Sequence, residues 1–490
     1  MNNTYALISL GCAKNLVNSE QMIYLMNDAG FEMVSEPDGA DLVIVNTCGF
    51  IDAAKTEAID TILEMAELKK AGKLGGIIVT GCLPERYKAE ITAELPEVDA
   101  FLGVGSFGDI VGAANTVLES RKINLFADSS KSIDEIPRVI STGPAWAYLR
   151  IAEGCNNFCA FCAIPYIRGR YRSREMENIL EEVRDMAAHG IKEVIVIAQD
   201  ITRYGTDLYG KRCLAQLCRK IAEIDGVEWI RLHYLYPDQF DDELIDEIAS
   251  NDKIVKYLDI PIQHINDRIL KAMNRRGTGG EIRTLFRKLR ERIPGVVLRT
   301  SLIAGLPGEG EAEFEELCGF LKEARIERVG VFPFSPEEGT PAAAMTEIAN
   351  TLNAELVELK DGVNRSGFGG WLRCGMDAMR RTCPQVEEPD TKRPLADYRL
   401  VIIGSPVWAG RCSSVARSFL KRYGKELQNA AYVLLRGSED KNEEVYEQMD
   451  LYVPCGHRAA VSLRSGSVGY AFWQEEFLRQ TRDFLSGQEK

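Results

Sequence analysis

No apolar run in the 490-residue sequence approaches the roughly 18 residues that a membrane-spanning helix needs, so no bilayer span is expected. Its start, MNNTYALISLGC, lacks the basic n-region and long apolar stretch of a secretory signal, which makes the cytoplasm the expected compartment. Basic side chains are in deficit: Lys+Arg number 59 against 73 Asp+Glu, a net charge of -14. Phosphate binding rests on Lys and Arg, so direct nucleic-acid binding is not expected, whereas attraction to a basic protein is compatible with this balance. There is no short-period repeat and no low-complexity tract. Hydrophobic residues at 45% and charged residues at 27% exclude a largely disordered chain. The length suggests about three domains.

What the sequence does have is cysteine, 13 residues of it. Disulfides are rare in a reducing compartment, where a cysteine pattern more often means metal or redox chemistry. Cys213, Cys218, Cys318, Cys374, Cys383 and Cys412 show no metal spacing and read as small buried apolar residues. Cys455 stands alone.

Residues 1–126 alternate short apolar runs with helical patterns: TYALISL, a helix around Glu20–Ala29, DLVIVNT, a helix around Ala53–Lys70, then GGIIVTG. This predicts a parallel-sheet α/β domain. Residues 127–143 (ADSSKSIDEIPRVISTG) are polar and read as a linker. Residues 144–345 carry six strand-like runs separated by five helical patterns, from AWAYLRIAEG to RVGVFPF. A partial β/α barrel fits that count, although periodicity alone leaves an open sheet available. Residues 346–490 read as a third α/β unit.

Cys155, Cys159 and Cys162 lie in EGCNNFCAFCAIP, directly after a strand-like run. Three thiolates on one tight loop can hold three irons of a 4Fe–4S cube and leave the fourth open for chemistry. A zinc site would want a fourth ligand, and no partner pair sits nearby. Cys12, Cys48 and Cys82 are far apart in sequence, yet each follows a strand-like run: ALISLGC, DLVIVNTC and GIIVTGC. In a parallel sheet the carboxyl ends of strands share one edge, so these thiols are expected to converge on a second 4Fe–4S cluster. Buried structural cysteine is the competing reading.

The CNNFCAFC segment resembles the signature of the radical S-adenosylmethionine (SAM) superfamily. That resemblance implies that the open iron binds SAM, which one electron cleaves to a 5′-deoxyadenosyl radical. It also implies SAM contacts from Phe161, from Gln199 beside Asp200 at the end of EVIVIAQ, and from Gly305 and Glu309 in TSLIAGLPGE. For Gly305 and Gly308 an ordinary turn is the alternative. Arg168 and Arg170 are either near SAM or substrate, or plain surface charge. With both cysteine trios, the strings ISLGCAKNLVNSE, NTCGFIDAAK, GCLPERY, IRGRYRSR and HYLYPDQF resemble the radical SAM methylthiotransferases over about residues 1–345. Their ribosomal-protein branch adds a methylthio group to an aspartate β-carbon of ribosomal small-subunit protein twelve. The resemblance implies that the first cluster carries the sulfur and the second makes the radical, with SAM also donating the methyl group. The alternatives are a transfer RNA substrate, or an electron-transfer chimera without methylthiotransferase activity.

After the barrel that family continues into a small substrate-binding β-barrel, called TRAM, and nothing here resembles it. Residues from about 346 instead resemble a flavodoxin, most clearly in YRLVIIGSPVWAG. The resemblance implies an FMN site at Ser405, Pro406, Trp408 and Gly410, with the Trp408 ring stacked on the flavin; core packing is the alternative for Trp408. A tethered flavodoxin-like donor would supply the electron at high effective concentration. The first strand and phosphate loop of a flavodoxin are missing, unless RVGVFPFSPEEGT supplies them through Ser335, Gly339 and Thr340. There Glu337 and Glu338 would oppose a phosphate. Impaired flavin binding and a fusion joint near residues 339–350 are therefore expected, and an accidental join is the bland reading.

Overall fold

Runs such as Leu42–Thr47 and Gly76–Gly81 are buried along their whole length. Continuous burial is what a central parallel strand covered on both faces demands. The computed structural model describes residues 3–128, 133–337, 340–343, 357, 359, 383–389, 391–408, 410–436, 440–454, 456–463 and 470–487. They divide into two compact units: Met1–Leu270, Gly277–Ala304 and Ala312–Ser335 form the first; Lys271–Arg276, Gly305–Glu311 and Pro336–Lys490 form the second.

The first unit opens with β1 (Thr4–Ser9), α1 (Ala13–Asp28), β2 (Glu32–Met33), β3 (Leu42–Thr47), α2 (Asp52–Lys70), β4 (Gly76–Gly81), α3 (Cys82–Arg86), α4 (Lys88–Glu94), β5 (Ala100–Leu102), α5 (Ile110–Leu118) and β6 (Ile123–Leu125). The strands form one six-stranded sheet in the order β2-β1-β3-β4-β5-β6, parallel throughout. Met22 and Met26 of α1 and Ala113, Ala114 and Val117 of α5 cover one face. Ala58, Ile62 and Met65 of α2 and Ile91 of α4 cover the other. α1 starts several residues before the expected Glu20. Its first turns carry Lys14, Asn15, Asn18, Ser19 and Glu20, all buried, so an apolar repeat does not announce them.

Residues 133–143, within the segment read as a linker, are held by side-chain contacts. Arg138 pairs with Glu20 and, at 2.7 Å, with Glu182. Glu20 also accepts from the Ser141 amide at 2.8 Å and its hydroxyl at 2.9 Å. Gln21 Nε2 donates to the Ile136 carbonyl at 3.1 Å. This strap ties the N-terminal sheet domain to the strands that follow.

Those strands are β7 (Trp146–Arg150), β8 (Ala152–Glu153), β9 (Arg172–Ser173), β10 (Glu193–Ile197), β11 (Trp229–Leu232), β12 (Ile254–Asp259), β13 (Val297–Ala304) and β14 (Arg328–Pro333). A second six-stranded sheet runs β14-β13-β12-β11-β10-β7, parallel and in sequential order. Between its strands pass α6 (Ile164–Ile167), α7 (Met176–Ala188), α8 (Leu214–Ala222), α9 (Asp242–Ser250), α10 (Asp267–Ala272), α11 (Gly279–Arg292) and α12 (Glu311–Ala324). Sequential order with helical crossovers is the winding of a partial β/α barrel. α11 begins with a capping box, Thr278 and Glu281 each accepting from the other's backbone amide. β14 pairs with β13 along its length. RVGVFPF is therefore the last barrel strand and is not available as the first strand of a flavodoxin.

In the second unit, β15 (Val401–Trp408), β17 (Ala430–Leu435) and β18 (His457–Leu463) are parallel, and β16 (Arg411–Cys412) lies antiparallel at the edge. Helices α13 (Ser414–Tyr423), α14 (Glu444–Asp450) and α15 (Tyr470–Ser486) accompany them. It is an α/β unit. The expected helix and strand of residues 341–359 lie largely outside the described residues, as do Gly339, Glu338, Cys374 and Cys455. No helix among the described residues is long and apolar enough to cross a membrane.

Candidate cluster-binding site

Cys12, Cys48 and Cys82 follow β1, β3 and β4, which are immediate neighbours in the sheet. Sheet order brings together what the sequence scatters. The approach is close: a Cβ on Gly11, whose φ is +92°, would lie 2.7 Å from Cys48 Cβ. One on Gly81, at φ +101°, would lie 2.4 Å from the Thr47 carbonyl. Only glycine accepts both the left-handed backbone and the lack of space. Asn15 ties the strand ends together, its Nδ2 donating to the Leu10 carbonyl at 3.1 Å and the Thr47 carbonyl at 2.8 Å. Its Oδ1 faces Cys82 Sγ at 3.7 Å and also accepts from Arg168. Burial pushes the Cys82 thiol up to about 11 and raises Cys48 as well. Burial would raise Cys12 too, but Lys14 and Arg168 beside it bring that thiol below its ordinary value. The cationic side of this trio thus favours thiolate.

Cys155, Cys159 and Cys162 sit on the loop between β8 and β9. Those two strands pair antiparallel and close the loop at its base, with Cys155 N donating to the Gly169 carbonyl at 3.1 Å. Gly154, at φ +75°, lies where a Cβ would come 2.1 Å from the Arg170 carbonyl. The Asn157 amide points at Cys155 Sγ from 3.5 Å, and Tyr236 OH is 3.8 Å from Cys159 Sγ. Burial raises the Cys155 thiol to about 11. All six cysteines are free thiols. Among the described residues no three His, Cys, Asp or Glu side chains close on a single metal ion. Thiol is the donor type that an iron–sulfur cube takes, whereas a zinc would want a fourth ligand.

The two trios meet through Arg168 and Cys82. Cys82 packs against Ala163 and Ile167, just past the second trio. Arg168 is only 1% exposed, which overturns its reading as surface charge. It donates to Asn15 on one side and, at 3.0 Å, to Glu153 on the other. Glu153 also holds Arg150 at 3.1 Å, and Arg150 reaches Gln21 at 3.1 Å. Burial alone would raise the Glu153 carboxyl; Arg168 and Arg150 hold it down at about 2. Arg170 is exposed, its guanidinium 4.5 Å from the Phe158 ring. Asn15, Glu20, Arg150 and Glu153 were not singled out from the sequence. The signal for them was polar residues packed into KNLVNSE and into RIAE, where a plain amphipathic helix or strand would have apolar ones.

Of the expected SAM contacts, Gln199 lies beside this network, its Nε2 3.4 Å from Glu153 and its Oε1 buried without a partner. Asn157 Oδ1 is a second orphaned buried acceptor there, although its Nδ2 donates to Asp200 at 3.1 Å. Such acceptors fit a ligand carrying hydroxyl and ammonium donors. Phe161 is half-buried. Gly305 and Glu309 belong to the second unit and close a turn on each other: Glu309 Oε2 accepts from the Gly305 amide at 2.6 Å and the Leu306 amide at 3.1 Å.

The expected flavin residues fare differently. Ser405 is fully buried and accepts from the Ser413 amide at 2.9 Å. Pro406 and Trp408 are still inside β15, which turns straight back at Gly410 to pair Trp408 with Arg411. Trp408, expected on a loop after the strand, is thus a strand residue. The Trp408 side chain lies outside the description. Thr340 Oγ1 donates to the Glu337 carbonyl at 2.7 Å, so it serves its own turn. Cys213, Cys218 and Cys412 are buried as expected, whereas Cys383 is exposed and Cys318 half-buried.

Two family models match the chain: "Radical SAM superfamily" over residues 149–321 and "Uncharacterized protein family UPF0004" over residues 4–103. The chain is 50% identical over 363 residues to the ribosomal protein uS12 methylthiotransferase RimO of Lachnoclostridium phytofermentans, covering 73% of this chain and 82% of that one. It is 49% identical over 350 residues to that of Acetivibrio thermocellus, covering 70% and 77%. Among solved structures it resembles the radical SAM methyltransferase TsrM of Kitasatospora setae, with TM-score 0.54 and 14% identity over 74% of this chain and 78% of that one. At that identity the likeness is one of fold.

Proposed function

The chain belongs to the RimO family of radical SAM methylthiotransferases, iron–sulfur, SAM-dependent transferases, and from that premise we propose that it adds a methylthio group to the β-carbon of an aspartate in ribosomal protein uS12. The observation that carries the reading is the pair of cysteine trios joined by a buried Asn15–Arg168–Glu153 relay. In this reading Cys12, Cys48 and Cys82 hold one 4Fe–4S cluster, and Cys155, Cys159 and Cys162 hold the other. The second cluster supplies one-electron cleavage of SAM, and the first supplies the sulfur. The chain's own residues set the stage for both. Arg168 brings one positive charge to both the Cys12–Cys82 edge and Glu153. Gln199 and Asn157 offer their free buried acceptors to SAM, with Phe161 on the same loop as its aromatic neighbour. The folded base formed by β8 and β9 keeps the cysteine loop in one conformation. The protein acts in the cytoplasm, where a flavodoxin-type protein donates the electron. The acidic surface suits a basic ribosomal partner.

The test is anaerobic expression in cells lacking their own enzyme, followed by mass spectrometry of uS12. A methylthio adduct on one aspartate is the expected result. Unmodified uS12 from cells whose protein carries both clusters would refute the assignment.

A further inference from the structure

The outer face of α2 sets apolar side chains among unpaired carboxylates. Four large hydrophobic residues are exposed in the described part of the N-terminal sheet domain. Three of them lie on α2 or cap its start: Ile51 and Ile59, each 39% exposed, and Leu63 at 44%. Single exposed apolar side chains are ordinary. These are not scattered, because Ile59 and Leu63 are four residues apart and therefore neighbours on one side of the helix. Ala58, Ile62 and Met65, on the other side, already bury α2 against the sheet. Folding of the domain thus does not call for Ile59 and Leu63.

The carboxylates are Glu57, Asp60 and Glu64, all exposed. They follow one another at spacings of three and four residues, where like charges repel and destabilise a helix. The cations of α2 are engaged elsewhere: Lys55 with Asp52, Lys69 with Asp99 at 2.6 Å, and Lys70 with Glu67 at 3.7 Å. The face also has a fixed place relative to the first cysteine trio. Ile51 is three residues from Cys48, no more than about 11 Å along the chain. Arg86 holds that connection, donating to the Gly49 carbonyl at 2.7 Å and the Phe50 carbonyl at 3.4 Å. From there the 19 residues of α2 extend the face over about 28 Å. Cys12 is exposed, so the trio is reached from solvent.

Resting on the uS12 reading above, we propose that the outer face of α2 is the docking surface for uS12: Ile59 and Leu63 receive an apolar side chain of the substrate, and Glu57, Asp60 and Glu64 pair with Lys or Arg around it. An apolar centre with a charged rim is the ordinary make-up of a protein interface. The sign of the charge selects the occupant. A ribosomal protein binds RNA, whose phosphates call for Lys and Arg. A second copy of this chain would set acid against acid, and a nucleic acid or an anionic lipid surface would be repelled in the same way. One helix face buries less than a standard interface, so the complex is transient, as turnover requires. Docking there holds the substrate beside Cys48 without engaging the thiols.

The experiment uses the full chain as reconstituted holoenzyme, with binding of labelled uS12 read by fluorescence anisotropy and its methylthiolation by mass spectrometry. Ile59→Ser with Leu63→Ser is expected to weaken binding and raise KM by roughly tenfold, the scale of a lost interface anchor, with kcat at saturation unchanged. Asp60→Lys with Glu64→Lys should weaken binding at low salt by a similar factor and flatten its salt dependence. Glu181→Lys with Asp185→Lys makes the same charge change at exposed positions of α7 and should leave binding close to wild type. All three variants should keep the iron content, the thermal midpoint and the uS12-independent SAM cleavage of wild type, because none of the replaced side chains is buried. A wild-type KM in both α2 variants, or an equal loss in the α7 variant, would overturn the proposal and leave the uS12 reading standing. A wild-type enzyme that cleaves SAM but leaves uS12 unmodified would sink that reading, and this proposal with it.

Discussion

The two cysteine trios, which the proposed function joins in one reaction, are built in opposite ways. Cys155, Cys159 and Cys162 share one loop, pinned at its base by the two-residue strands β8 and β9. Cys12, Cys48 and Cys82 come from three separate crossings of a sheet and meet only because β1, β3 and β4 are neighbours. A local site depends on local backbone geometry. A distributed one depends on the whole domain being folded, and on devices such as Asn15 and the glycines at positions 11 and 81 that let strand ends approach. The same protein therefore contains one site open to motif reading and one that is a property of topology.

The largest test of that contrast is to remove one thiol from each. Cys155→Ala and Cys48→Ala should each lose about four irons per chain, as one cube is lost. Cys155→Ala should also end SAM cleavage. Cys48→Ala should end methylthiolation while SAM cleavage continues at a reduced rate. Iron analysis together with 5′-deoxyadenosine measurement separates them; identical losses of both activities would mean that the trios are not separate in function.

Next in size is the relay between them. Arg168→Met removes the guanidinium between Asn15 and Glu153 and leaves Glu153 paired with Arg150 alone. Breaking a buried pair costs about 3–5 kcal/mol, which should appear as a lowered denaturation midpoint. Because the guanidinium spans two acceptors, Arg168→Lys should recover only a part. Full stability in Arg168→Met would show that the relay is not what holds the trios together.

A smaller effect concerns the strap over residues 133–143. Burial would raise the Glu182 carboxyl, but Arg138 and Arg174 hold it below its ordinary value. A depressed folded pKa contributes stability that is fully present above the unfolded value, about 4.3. That contribution is lost as pH falls towards the folded value. Glu182→Gln should thus cost about 1–3 kcal/mol at neutral pH and converge with wild type as the solution is acidified. Denaturant midpoints measured across that range would check it, and a gap that is independent of pH would refute it.

The smallest expected signal is a null one. Ser405 is buried and engaged, β14 belongs to the barrel, and Trp408 is paired within a strand. Equilibrium dialysis with FMN should leave the C-terminal unit without tight flavin. Stoichiometric retention would restore the flavodoxin comparison in full.

Much of this molecule was legible in the amino-acid order. Alternation of apolar runs and helical patterns marked both parallel sheets, because strand and helix periods are local properties. The Cys155–Cys162 spacing named a loop, and strand-end cysteines at positions 12, 48 and 82 named an edge. Other features had no local signal. α1 hid its start because its first turns bury polar groups that find partners only in other elements. Arg168 had two readings from sequence, a place near SAM or substrate and plain surface charge, since its partners, Asn15 and Glu153, come from different domains. The polar linker gave no sign of its anchors, Glu20 and Glu182, which come from other elements. Sequence by itself determined the donor atoms and the strands that carry them. Only the tertiary structure decided which strand ends are neighbours and which charges lose their water, because burial and pairing belong to contacts between distant segments.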